Sequence, residues 1–506
     1  MVLDNAENNK RIAKNTFFLY GRMLVVLFVS IYTTRVVLDV LGIEDYGIYN
    51  VVCGFVSMFG FLNTSLSNGI QRFYNYEYAK NGEIGAKRVF QTAFQIQLFL
   101  AILVVVLVEG IGIWYINHQM VISADRLVAA NWVFQFSVLS LLLVILQIPY
   151  SAAILAHERM DYYAVVSIVD IFLKLGVILA LPYQTGDQLI IYGVLQVFVS
   201  FLDFILYYSY SKKHFEEIVF EKVFHKELFR SIFTFSGWNV LATFAWMTQG
   251  QGVNMVINLF FGTYINAARG ISGQIQSAIQ GFCENLIIAF RPQLVCSYAQ
   301  GNMQRTERMM YSMSKIMFLM FFMLSTPVIF EIDYVLNFWL GDNIPDYTAS
   351  FTILVLLSMY PRNFSMAFAQ VVHATGCLGT YQICSAIVIL LALPLSYIAL
   401  KLGTDAISVY WINLAICLLM FVVCLRVLKR VFPINVVNYI RRVILPCFLI
   451  GTIVPTAIYF LIQTMSESFI RLCVTTFVCT VLTVVLSYFI VLDNDEKQLI
   501  KKIIKK

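Results

Sequence analysis

Arg441-Arg-Val-Ile-Leu-Pro-Cys-Phe-Leu-Ile-Gly-Thr-Ile-Val-Pro-Thr-Ala-Ile-Tyr-Phe-Leu-Ile462 is two arginines followed by twenty residues without a charge. At a helical rise of about 1.5 Å per residue, such a run covers about 30 Å, the thickness of the hydrocarbon layer of a bilayer. Lipid offers the backbone no hydrogen-bond partners, so the run must be a helix that satisfies itself. Working outward from it, similar runs fall at about 16–40, 46–68, 90–116, 127–153, 162–182, 188–211, 231–258, 264–290, 309–331, 347–372, 380–400, 405–427, 442–462 and 469–491. The expectation is an all-α polytopic membrane protein with about fourteen transmembrane helices. Composition excludes the soluble classes, since 60% of the 506 residues are hydrophobic and 13% charged, with a mean hydropathy of +0.78.

Charge placement orients the chain. With a cytoplasmic start and an even number of spans, every second loop lies inside, where Lys and Arg collect. The inside loops and termini then hold twenty-five basic residues, including Lys10, Arg11, Lys14, Lys212, Lys213, Lys429 and Arg430, whereas the outside loops hold Arg126 and Lys401. The net charge of +6 is therefore a topology signal and calls for no nucleic acid. The polar start followed by a long apolar run reads as a retained first helix of a cytoplasmic-membrane protein with both termini inside. At the other end, Leu499, Ile500, Ile503 and Ile504 alternate with lysines from Lys497 to Lys506, a short basic amphipathic helix for an anionic leaflet or a solvated tail. Cys53, Cys283, Cys384, Cys417, Cys424 and Cys479 lie within spans without a C-x-x-C pair, which reads as packing rather than metal or disulfide chemistry. No cofactor is called for.

The sequence repeats weakly at an offset of 220: Leu41-Gly42 meets Phe261-Gly262, Tyr78-Ala79 meets Tyr298-Ala299, and Arg88 meets Arg308. Six spans separate the copies, so both face the same way, and the pseudo-twofold runs along the membrane normal. This divides the chain into an N-lobe at 1–211, a charged linker at 212–230, a C-lobe at 231–427, and two further spans with the tail at 428–506.

Polar residues at helical spacing mark faces that avoid lipid. Span eight has the clearest stripe, Arg269, Gly273, Gln276, Gln280 and Glu284. Span two carries Asn50, Gly54, Ser57, Thr64 and Asn68, span six Gln196, Ser200, Asp203 and Tyr207, and span seven Asn239, Thr243 and Trp246 followed by Gln249-Gly-Gln-Gly252. Polar residues also join membrane helices without any ligand. Among charges, Asp170 and Lys174 lie one turn apart on span five, as a structural ion pair or a functional one, and Arg35 can reach Asp39. Arg22 and Arg269 have no acidic residue a turn away, which points to a watery, anion-accepting space. The candidate substrate-binding residues are Arg22, Arg35, Arg269, Gln276, Gln280, Asn239 and Gln249, and the candidate ion-coupling carboxylates are Asp39, Asp203 and Glu284.

Three stretches, Lys14-Asn-Thr-Phe-Phe-Leu-Tyr-Gly-Arg-Met23, Leu41-Gly-Ile-Glu-Asp-Tyr-Gly-Ile-Tyr-Asn50 and Gln71-Arg-Phe-Tyr74, carry a resemblance. The first ninety or so residues resemble bacterial O-antigen and polysaccharide flippases of the Wzx type, within the multidrug/oligosaccharidyl-lipid/polysaccharide exporter superfamily. The resemblance implies two six-helix lobes in a MATE-like V shape around a cationic cavity, with two C-terminal helices added. It implies flipping of a polyprenyl-diphosphate-linked oligosaccharide, without enzymatic chemistry, in a pathway shared with a glycan polymerase and glycosyltransferases. Related flippases of the peptidoglycan precursor have cavity arginines on spans one and eight, where Arg22 and Arg269 are similarly placed. A drug exporter of the same superfamily is the first rival, although cationic drugs call for acidic cavities. A membrane glycan polymerase or acyltransferase is the second, although the large external loop usual in such polymerases is missing and His373 reads as a packing or interfacial residue.

Overall fold

Three corners of the chain fall at glycines with positive φ, a region that residues with a Cβ rarely enter. A computed structural model of the chain describes residues 5–157, 159–220, 223, 225–341, 343–375, 378–493 and 496–497. Of the basic tail, Leu499 to Lys506 lie outside the described residues. Helix α1 (Asn5–Met58) turns at Gly42 with φ 77° and ψ 170°, and α6 (Lys226–Ala299) turns at Gly262 with φ 72° and ψ −169°. The two positions are the ones the 220-residue offset pairs, and they take nearly the same conformation. A third corner, Gly82, divides α2 (Phe61–His118).

The remaining helices follow as α3 (Leu127–Ala156), α4 (Met160–Ala180), α5 (Gln188–His214), α7 (Met303–Phe330), α8 (Ile332–Leu340), α9 (Thr348–Thr375), α10 (Leu378–Leu390), α11 (Ala392–Lys401), α12 (Ile407–Val431), α13 (Val436–Tyr439), α14 (Leu445–Gln463) and α15 (Phe469–Leu486). The protein is all-helical and crosses the membrane many times. Among the described residues, ten segments are long and apolar enough to span a bilayer. The first of these, Leu24–Met58, is two spans joined at Gly42, and polar residues keep α9 and the two arms of α6 below the same hydropathy. Counting those restores the fourteen spans expected from the sequence. Apolar length found the membrane, and polar interruption marked the helices with other business.

The chain parts into two compact units, Met1–Gly270 and Ile271–Lys506. In the first, Tyr74, Phe90, Tyr150, Ile154, Val166, Tyr207 and Phe215 form a buried core shared by α2, α3, α4, α5 and the segment after α5. That segment is fastened rather than loose. Glu217 Oε1 accepts a hydrogen bond from the Tyr74 hydroxyl at 2.8 Å and lies 2.6 Å from His157 Nε2, while Gln91 and Gln95 of α2 donate to the carbonyls of Val219 and Val223. Burial pushes the Glu217 carboxyl pKa up, but its hydrogen bonds with His157, its own backbone and Tyr74 outweigh this and hold it below its ordinary value. In the second unit, α9 lies between α7 and α12, with Phe318, Tyr360, Phe364 and Phe421 meeting ring against ring.

Candidate functional site

The span-eight stripe lies on the second arm of α6, after the Gly262 corner. Arg269 is half-buried, and its guanidinium donates to the carbonyl of Gly250 on the first arm at 2.5 Å. This bond to a backbone oxygen holds the side chain across the corner. Two turns on, Gln276 Nε2 lies 3.2 Å from the Met359 sulfur, and Gln280 Nε2 donates to Asn363 Oδ1 at 3.1 Å. Glu284, another turn along, is exposed. The residues facing these amides, Met359, Asn363 and Met366, are one face of α9.

The other sequence candidates have diverse settings. The side chains of Arg22 and Asn239 lie outside the described residues, and Gln249 is half-buried beside the carbonyl that Arg269 engages. Arg35 and Asp39 are both exposed, 3.9 Å apart on one turn of α1. Lys174 lies 2.8 Å from Asp170 on α4, and Asp203 of α5 is near enough for both charges to act on it. The spacing gave Asp170 and Lys174 as a pair, and the fold makes the group three.

The stripe on span two is closed in its first half. Gly47, Asn50 and Gly54 on α1 pack directly against the first arm and the corner of α6. A Cβ on Gly47 would sit 2.0 Å from the Thr263 carbonyl oxygen, one on Gly54 2.4 Å from Gln251 Oε1, and one on Gly270 2.6 Å from Asn50 Nδ2. Asn254 Nδ2 donates to the Asn50 carbonyl at 3.3 Å, and Asn266 Nδ2 lies 2.8 and 2.6 Å from the carbonyl and side-chain oxygens of Asn254. The expected cavity face at Asn50 and Gly54 is a helix seam, because small residues let the backbones approach until no ligand fits between them. The side chains of Thr64 and Asn68 lie outside the described residues.

Several charges escaped the sequence reading. Arg362 lies mid-way along α9, next to Asn363, with Glu284 and Cys417 close enough to act on its charge. A lone cation in an apolar run was the signal used for Arg269, and it applied equally here. Lys315, fully buried on α7, is held by Asp493 at 2.9 Å and Glu496 at 3.3 Å. Arg471 opens α15 against buried Glu331, 2.6 Å away, and Arg126 bridges Asp45 and Asp187. These last three are pairs between elements distant in sequence, which no local spacing reveals.

Neither a protein-family model nor a curated protein sequence matches the chain. Solved structures do. A lipid II flippase MurJ in an inward closed conformation superposes with a TM-score of 0.69 at 13% identity, covering 94% of this chain and 98% of its own. The fold is the one these transporters share. A MATE-family multidrug resistance transporter of the MOP superfamily, inward-facing, gives a TM-score of 0.66 at 12% identity over 81% of this chain and 98% of its own. A MOP superfamily transporter from Pyrococcus furiosus, described as having a binding pocket of reversed polarity, gives 0.61 at 13% over 83% of this chain and 96% of its own.

Proposed function

We propose that the chain is a flippase that carries a polyprenyl-diphosphate-linked oligosaccharide from the inner to the outer leaflet of a bacterial cytoplasmic membrane by alternating access, with both termini on the cytoplasmic side. The observation that carries this reading is Arg269, an arginine within a membrane span, held by a backbone carbonyl and followed along its helix by Gln276 and Gln280. A guanidinium is a planar fork that matches phosphate oxygens two at a time, and it keeps its charge where lysine would lose it more readily. Amides suit the hydroxyl-rich glycan, and the lipid tail needs only the bilayer. The fold likeness supports the same reading, since the lipid II flippase accounts for 94% of this chain, whereas the multidrug transporter leaves about a fifth unmatched at 81%. Asp203, with Asp170 and Lys174, is the group we assign to ion coupling.

Purified protein in proteoliposomes tests it with lipid-linked oligosaccharide placed in the inner leaflet and a lectin outside. Wild type should expose the glycan to the lectin, Arg269→Ala should reduce exposure at least tenfold at unchanged protein level, and Arg269→Lys should restore part of it. Uptake of a cationic dye without glycan exposure would transfer the protein to the drug-exporter class, the rival within the same superfamily.

A further inference from the structure

The helix α9 is built around a polar interruption. Met359, Arg362, Asn363 and Met366 fall three, one and three residues apart on one face, and Gln276, Gln280 and Glu284 oppose them at intervals of four. The cluster has a rim and a floor. Gln276 and Arg362 are mostly buried and Glu284 is exposed, while Gln280 is 5% and Asn363 0% exposed. On the floor, Gln280 Nε2 donates to Asn363 Oδ1, which leaves Gln280 Oε1 and Asn363 Nδ2 buried without a hydrogen bond among the described residues.

Two such groups are costly, about 1–3 kcal/mol each, and a native protein that keeps them side by side has a use for them. One is an acceptor and the other a donor. A hydroxyl answers both at once, since it donates one hydrogen bond and accepts others. Charge selects in the same direction. Arg362 and Glu284 act on each other, so the rim carries no formal net charge, and a multiply charged diphosphate gains little there. Guanidinium, carboxylate and amides are planar groups with paired donors or acceptors, which suits adjacent hydroxyls on a sugar ring. The methionines Met359 and Met366 supply soft, adaptable apolar contact beside them.

We infer that Gln276, Gln280, Glu284, Arg362 and Asn363 form a glycan subsite that holds sugar hydroxyls rather than the diphosphate, and so contributes to which glycans are carried. The inference rests on the flippase reading and adds to it a division of labour, with Arg269 serving the diphosphate and Arg362 the sugar.

The test is binding by full-length protein in nanodiscs, read by native mass spectrometry, with two probes: polyprenyl diphosphate without a glycan, and lipid-linked oligosaccharide extracted from the membranes of the source cells. Wild type should prefer the glycosylated lipid at least tenfold. Gln280→Ala, Asn363→Ala and Arg362→Gln should each lose most of that preference while binding the bare lipid within about twofold of wild type, and Arg362→Lys, which keeps charge but not the fork, should lose it too. Retention of the preference in every variant would reduce the cluster to packing. Equal loss of both probes in the Arg362 variants would make it a diphosphate site, and either result overturns the inference. Wild type that binds both probes equally sinks the subsite and leaves the flippase standing, whereas wild type that binds neither sinks both.

Discussion

Two polar seams have opposite outcomes in this molecule. In the first unit, Gly47, Asn50 and Gly54 of α1 meet Gln251, Asn254 and Asn266 of α6, and the backbones come so close that an added Cβ at Gly47 would overlap a carbonyl oxygen at 2.0 Å. In the second, Gln276 and Gln280 meet Met359, Asn363 and Met366 through long side chains, at 3.1 to 3.4 Å from polar or sulfur atoms, with hydrogen-bonding capacity unfilled at Gln280 and Asn363. Glycine and asparagine on facing helices shorten the gap until the amide nitrogens of Asn50, Asn254 and Asn266 are spent on backbone carbonyls, with Asn266 Oδ1 left buried without a hydrogen bond among the described residues. Glutamine, arginine and methionine hold the helices apart and present their ends. Polar periodicity therefore says that a face avoids lipid, and side-chain length says whether it closes or stays available.

The largest effect expected from this contrast is at Gly47. Gly47→Leu forces a branched side chain into a backbone contact, and the folded, detergent-extractable fraction should fall sharply; overpacking of a tight site costs about 1–3 kcal/mol or more. Gly273, on the α6 stripe but with open space within 4 Å of where a Cβ would sit, should accept alanine with the melting temperature unchanged. Equal losses at both would erase the distinction between the regions.

Next in size is a pair of leucine variants. Asn266→Leu removes both of its bonds to Asn254 and should destabilise the protein by about 1 kcal/mol, the scale for hydrogen bonds between membrane helices. Gln280→Leu combined with Asn363→Leu removes both partners of a buried, partly satisfied amide pair, and replacing both by apolar side chains of similar shape is nearly neutral. Thermal unfolding in detergent should show the first lowered and the double variant within error of wild type, while glycan export falls in the double variant. A large stability loss for the double variant would class it with the first seam.

The smallest effect is a calibration at Glu217, a polar site that is structural and lies outside the spans. Its carboxyl is held below its ordinary pKa, so its contribution to stability is present at neutral pH and is lost as pH falls through and below the usual carboxylate range. Glu217→Gln should lower the melting temperature modestly at pH 7 and flatten its decline toward acid. An acid decline as steep as in wild type would remove Glu217 from the fastening of the segment after α5.

Much of the fold was legible because two of its determinants are local. Hydrocarbon thickness sets the length of a run such as 443–462, and the offset pairing Gly42 with Gly262 put the same positive-φ corner in both places. The site was legible in part. Arg269, Gln276 and Gln280 follow from the period of one helix, but their partners Gly250, Met359 and Asn363 lie on other segments. Arg362 carries the same local signal, a cation within the span at 347–372, but Glu284, which acts on its charge, lies on α6.

By itself the sequence determined that the chain is helical and lies in a membrane, since both depend on the chemistry of one segment against water or lipid. Only the tertiary structure decided that Asn50 belongs to a closed seam while Gln280 meets Asn363, and that Asp203 joins Asp170 and Lys174. Those outcomes depend on the distance between two helices. That distance is set jointly by the side chains of both, Gly47 against Thr263 in one place and Gln280 against Met366 in the other, and no single stretch of sequence contains it.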